Sequence, residues 1–137
     1  FLSHDLAMIG SDGRAVSPDG PYANALPHPR FYGTYPRILG RYVREEPALL
    51  TLESAISKMT GIPAARMGMK ERGTVKEGLV ADLVIFDPDT VIDNATWEDP
   101  HQYPTGIPHV LVSGVAIVDY GKHTGAMPGR VLRRGTC

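Results

Sequence analysis

Cysteine is nearly absent: the one example, Cys137, is the last residue, which excludes an internal disulfide framework and a thiolate metal site built from this chain alone. An excess of charge is missing too. With 14 Lys and Arg against 15 Asp and Glu, a formal net charge of -1 and no long run of either sign, the chain lacks the electrostatic footprint of a nucleic-acid or anionic-membrane binder. No segment approaches the roughly 18 consecutive apolar residues of a membrane helix, and the start "FLSHDLAM" has neither a basic n-region nor an apolar h-region. The histidines, His4, His28, His101, His109 and His123, form no HxH and no HxxxH, so the chain by itself carries no metal-site spacing. The GxSxG nucleophile elbow and the GxxxxGK[ST] phosphate loop are also missing. What these absences leave is one ordinary soluble globular unit with no nucleic-acid or membrane partner and a cytoplasmic location. The first residue is Phe, not Met, which points to a chain cut from something longer.

What is present divides into a helical middle and a β-rich end, an α/β composition. "LAMIGSDG" reads as a short strand closed by a Ser-Asp-Gly turn, with Asp12 at its C-terminal end. Residues 14–36 hold Pro18, Pro21, Pro27, Pro29 and Pro36 and no hydrophobic period, which predicts a long loop of the functional kind. A helix is expected to start at Pro36, with Ile38, Leu39, Tyr42 and Val43 on one face, and to stop at Pro47. "TLESAISKMTG" predicts a second helix with Thr51 as N-cap, Leu52, Ala55, Ile56 and Met59 as the buried stripe and Gly61 at the C-cap. "IPAARMGM" predicts a short third one ending at Gly68. After Gly73 the composition turns to β, giving a boundary between residues 1–72 and 73–137. The apolar run at residues 83–86 predicts a strand buried on both faces, and "HVLV" and "VAIVD" around Ser113-Gly114 predict a two-residue hairpin.

Four side chains stand out as candidates for chemistry. Asp12 is either a turn residue bonding to its own backbone or, at the end of a strand, a metal ligand or general base. His28, between two prolines in "LPHPRFYGTYPR", is either a loop imidazole or a substrate contact. Arg30 and Arg37 suit bidentate capture of a carboxylate, or surface pairing with Asp19, Glu45 or Glu46.

Taken together, "MIGSDG", "LPHPRFYGTYPRILGRYVREE", "RGTVKEGLVADLVIFDPDTVIDNATWEDP" and "YPTGIPHVLVSGVAIVDYGKHTGAMPGRVLRR" closely resemble the C-terminal third of the N-acyl-D-amino-acid deacylases, the D-aminoacylases of the amidohydrolase superfamily. "RGTVKEGLVADLVIFD" resembles that superfamily at large, whereas the block around His28 and Arg30 favours the deacylase branch. The resemblance implies a C-terminal fragment of a metal-dependent (β/α)8 barrel, its last strand and helices, followed by strands of a small β-sandwich domain. It implies a zinc-dependent hydrolase of N-acyl-D-amino acids, with small-molecule substrates and the remainder of the parent chain as partners. Asp12 matches the family's aspartate at the end of the eighth strand, where one carboxylate accepts the proton of the attacking water and returns it to the leaving nitrogen. It is also a possible zinc ligand. Gly10 and Gly13 leave the backbone room beside it. The family's HxH and its other ligands match nothing in this sequence, so the fragment alone is expected to be inactive, with open strand edges that favour self-association. Two alternatives stay open: a cyclic-amide hydrolase of the hydantoinase or dihydroorotase type, and a non-catalytic β-rich binding or structural module in which Asp12 only makes a turn.

Overall fold

A computed structural model describes residues 1–45 and 47–133. Glu46 and Cys137 lie outside the described residues. Three α-helices, α1 (Arg30–Arg37), α2 (Leu52–Met59) and α3 (Gly61–Met67), precede a four-stranded sheet of β1 (Leu83–Ile85), β2 (His109–Val112), β3 (Val115–Asp119) and β4 (Lys122–His123). The strands follow one another across the sheet, and each neighbouring pair is antiparallel.

The helix expected to begin at Pro36 begins instead at Arg30, with Pro36 inside it. A proline there donates no N–H and crowds the carbonyl one turn back. The ladder adapts downstream: the N–H of Ile38 reaches both Thr34 O and Tyr35 O, and residues Ile38–Arg44 continue as π-helix, the register slip that such a defect favours. The irregular loop is correspondingly shorter and ends at Pro29. In α2 the Thr51 side chain accepts the Ser54 N–H at 3.2 Å, the N-cap predicted from sequence. Its C-cap is Thr60, and Gly61 already belongs to α3. Gly68 ends α3 at φ 74, a left-handed C-cap that suits glycine.

Residues 6–13 form no strand. The reason is which groups meet them: the Ile9 N–H donates to Lys58 O at 3.1 Å, and the buried Lys58 ammonium donates to the carbonyls of His4 and Ala7. The last turn of α2 thus takes the place of a strand neighbour, and a segment without a ladder partner is not a strand.

The hairpin turn is as expected. Ser113 and Gly114 both have positive φ, 51 and 79, the left-handed pair a two-residue turn needs to match strand twist. Tyr120 and Gly121 repeat the device at φ 45 and 75, adding β4. Strand β1, expected to be covered on both faces, is not: Val84 and Ile85 are 56% and 52% exposed. Its partner β2 lies on one side, and no second layer covers the sheet among the described residues. The hydrophobic core sits elsewhere, in Ile9, Ile38, Leu39, Leu50, Ala55 and Val91, where the helices pack against residues 86–107.

Candidate functional site

Asp12 sits at φ 45, so the chain turns sharply there. Ser11 Oγ accepts the Gly13 N–H at 3.2 Å, and Gly13 passes so close to α1 that an added Cβ would meet Phe31 Cα at 3.3 Å. That approach delivers Asp12 to the first residue of the helix. Arg30 Nη2 lies 3.0 Å from Asp12 Oδ2, and Arg30 Nε donates to the Asp12 carbonyl oxygen at 3.0 Å. The Asp12 side chain is otherwise open, 91% exposed, so the ion pair is solvated and its worth lies in orientation more than in stability.

His28 caps the same helix from the other side. Its Nδ1 accepts the Arg30 backbone N–H at 3.0 Å, which leaves the ring proton on Nε2 in the neutral form. Its ring meets Trp97 edge to face, centroids 4.4 Å apart. The two residues open onto a cleft of about 460 Å³, also lined by Arg30, Thr34, Arg37 and Glu98.

Arg37, a second candidate for carboxylate capture, is already engaged. Its Nη2 lies 2.7 Å from Asp93 Oδ2, and Arg41 Nε lies 3.8 Å from Asp93 Oδ1. The Asp93 carboxylate is only 2% exposed. The expected partners Asp19 and Glu45 are not those of Arg37; Glu45 pairs with Arg41 at 2.8 Å. Sequence reading passed over Asp93, and Val-Ile-Asp-Asn-Ala shows no apolar–polar alternation to find it by; only the fold turns Val91, Asp93 and Ala95 inward, between half-buried Ile92 and Asn94. A carboxylate buried there needs a cation beside it, and Arg37 supplies one while its own side chain stays 46% exposed.

A second group of residues was also missed. The Tyr32 hydroxyl is 2.8 Å from His101 Nδ1, and His101 Nε2 is 3.0 Å from Ala25 O. Tyr103 packs edge-on against Tyr32 at 5.5 Å. Burial, with the neighbouring Tyr103 as a smaller cause, pushes the Tyr32 phenol above its ordinary value, so it remains a donor. No short-range pattern marks this group, because its members stand 69 and 76 residues apart.

The metal fares differently. Among the described residues no group of three or more His, Cys, Asp or Glu comes together to hold an ion, and the Asp12 carboxylate is paired with a cation. One exposed carboxylate beside a guanidinium does not fit a zinc site by itself.

Comparison with known proteins gives this geometry its context. The pattern of the amidohydrolase family matches residues 6–118. An N-acyl-D-glutamate deacylase of Alcaligenes xylosoxydans xylosoxydans is 48% identical over 134 residues, which cover 98% of this chain and 26% of the relative. A solved D-aminoacylase, studied for the functional role of its binuclear metal centre, superposes with a TM-score of 0.86 at 46% identity, covering 97% of this chain and 26% of that one. The N-acyl-D-glutamate deacylase of Bordetella bronchiseptica, complexed with zinc and a phosphonate mimic of the tetrahedral intermediate, superposes with a TM-score of 0.74 at 47% identity, over 85% of this chain and 23% of that one. The chain therefore spans about a quarter of the length of the relatives it matches.

Proposed function

The chain belongs to the amidohydrolase family, and from that premise we propose that it is part of a zinc-dependent enzyme that hydrolyses N-acyl-D-amino acids to a carboxylate and a D-amino acid. Family membership sets aside the non-catalytic β-rich module. Under this reading residues 1–72 close the catalytic barrel and residues 73–137 supply strands of a β-sandwich domain. Among the described residues, the confinement of helices to residues 30–67 and of the sheet to residues 83–123 supports that division. The zinc ligands belong to the remainder of the enzyme, since the described residues do not fit the metal, and the enzyme acts in the cytoplasm.

The observation that carries the proposal is the contact between Arg30 and Asp12. In an N-acyl-D-amino acid the free carboxylate and the scissile nitrogen hang on the same carbon. A group that grips the carboxylate must therefore stand beside the group that moves the proton. Arg30 meets that condition, with its guanidinium 3.0 Å from the Asp12 carboxylate and a planar fork suited to a second one. In the proposed complex Arg30 binds the substrate α-carboxylate, and His28 adds its Nε2–H to the same group. Asp12 accepts the proton of the attacking water and hands it to the leaving nitrogen, so one carboxylate acts in both half-reactions.

The test compares the Arg30→Ala variant of the full-length enzyme on an N-acyl-D-amino acid and on the corresponding amide, which lacks the carboxylate. Releasing Asp12 affects both substrates alike, so the difference isolates carboxylate binding. A charge-assisted pair contributes about 1.5 to 3 kcal/mol, hence kcat/KM for the acid should fall roughly 10- to 100-fold further than for the amide. Equal losses on the two would refute the assignment of Arg30.

A further inference from the structure

Resting on that reading of the site, we infer that His101 is a positioning residue which clasps the substrate loop, residues 14–29, to the helix that carries Arg30. The loop has little to hold it by itself. Its backbone bonds from Gly20 to Ser17, Ala23 to Gly20 and Ala25 to Tyr22 are short-range turns, which shape the loop and do not fasten it.

Among the described residues, a polar tie from Ala25 to the rest of the fold is the His101 ring. The Ala25 carbonyl can only accept, so the proton sits on His101 Nε2, 3.0 Å away. In the neutral ring Nδ1 is then an acceptor, and the Tyr32 hydroxyl 2.8 Å away is its donor. Tyr32 lies two residues beyond Arg30 in α1. One imidazole thus ties the last third of the loop to the turn of helix that presents the guanidinium, through two directional bonds of good length.

The consequence lies in the residues between. From Ala25 to Arg30 the chain runs through Pro27, His28 and Pro29, two of them with fixed φ. Arg30 is held by Asp12 and Ala25 by His101, so a stiff span anchored at both ends carries His28. The Trp97 ring against His28 comes from the same segment as His101 and braces the span from the same side. Freeing the Ala25 end slackens the group meant to meet the substrate carboxylate, and leaves Asp12 in place.

Two readouts in the full-length enzyme test this. His101→Ala should raise KM for an N-acyl-D-amino acid about tenfold while kcat stays within about threefold, the pattern of lost binding without lost chemistry. It should also speed chymotryptic cleavage after the exposed Tyr22 in the loop. His101→Gln, which keeps one acceptor and one donor at its tip, should restore most of both. Tyr32→Phe removes a single bond and should shift both readouts in the same direction by less. Unchanged cleavage after Tyr22 in His101→Ala overturns the clasp, unchanged KM overturns its positioning role, and a defect in kcat that glutamine fails to repair overturns the inference as well. Cleavage reports on the clasp without reference to substrate, so it separates failure here from failure of the Arg30 assignment, which the acid and amide comparison reads.

Discussion

Arg30 holds Asp12 at two points, its Nη2 lying 3.0 Å from the carboxylate and its Nε–H donating to the carbonyl oxygen at 3.0 Å. The carbonyl bond fixes where the backbone of Asp12 stands, and the carboxylate contact fixes which way the side chain turns. A substrate carboxylate that takes over the guanidinium would release the side chain and leave the backbone anchored.

That arrangement predicts a loss confined to chemistry when Asp12 becomes Asn. In the full-length enzyme kcat should fall by at least about 10²-fold, the scale of general acid–base catalysis. Zinc content should remain near normal, because the proposed ligands lie in other residues. Near-normal turnover, or loss of the metal, contradicts the role given to Asp12.

Asp93 should matter for stability, and its arginine partners unequally. Removing Arg37 strips the 2.7 Å contact from a carboxylate that is 2% exposed, whereas Arg41 stands 3.8 Å away from an oxygen with no hydrogen-bond partner among the described residues. Arg37→Ala should therefore destabilise by about 1 to 3 kcal/mol, the cost of an unsatisfied buried group, and Arg41→Ala by less. Urea unfolding of the two variants checks the order; a larger loss for Arg41→Ala would contradict it.

Acid should weaken the junction between β1 and the hairpin turn. Asp82 accepts the Ser113 N–H at 2.8 Å and pairs with Arg72 at 2.7 Å. The Ser113 bond is the largest cause holding its carboxyl below the ordinary range, and Arg72 adds to it. The unfolded chain binds this proton more readily than the folded one, so the contribution is present above about pH 4 and is lost as pH falls through the lowered folded value. Asp82→Asn should be less stable than the parent at pH 7, with the gap closing below about pH 4. A gap that persists unchanged into acid would show that charge is not its source.

The isolated 137-residue chain should self-associate. Val84 and Ile85 are exposed on β1, which pairs with β2 on one side and has no strand on its other edge among the described residues, a template for a further strand. Light scattering should show concentration-dependent oligomers that Val84→Lys suppresses. A monomer at high concentration, or oligomers indifferent to Val84→Lys, would place the contact elsewhere.

Much of the local structure was legible in the sequence. Thr51 announces α2, Gly68 ends α3 and Ser113-Gly114 turns the hairpin, because each signal acts within a few residues through a side-chain cap or a positive φ. Pro36 misled for an equally physical reason. Its local preference is for a first turn, but His28 caps a helix that starts six residues earlier, and the π-helical stretch beyond Arg37 absorbs the missing donor. The apolar run of β1 misled because it encodes a demand for cover without saying whether these residues supply it.

By itself, then, the sequence determined the caps and turns, the candidates Asp12, His28 and Arg30, and, through its resemblance to the deacylases, the chemistry to expect of them. Only the tertiary structure decided that Arg30 closes on Asp12, that Arg37 answers the buried Asp93, and that His101 reaches back to Ala25. These partners lie 18, 56 and 76 residues apart. A guanidinium or an imidazole carries no mark of which distant group it will meet. That choice falls to the packing of the helices around Ile38, Leu39 and Val91, which sets the distances at which a charge or a hydrogen bond begins to count.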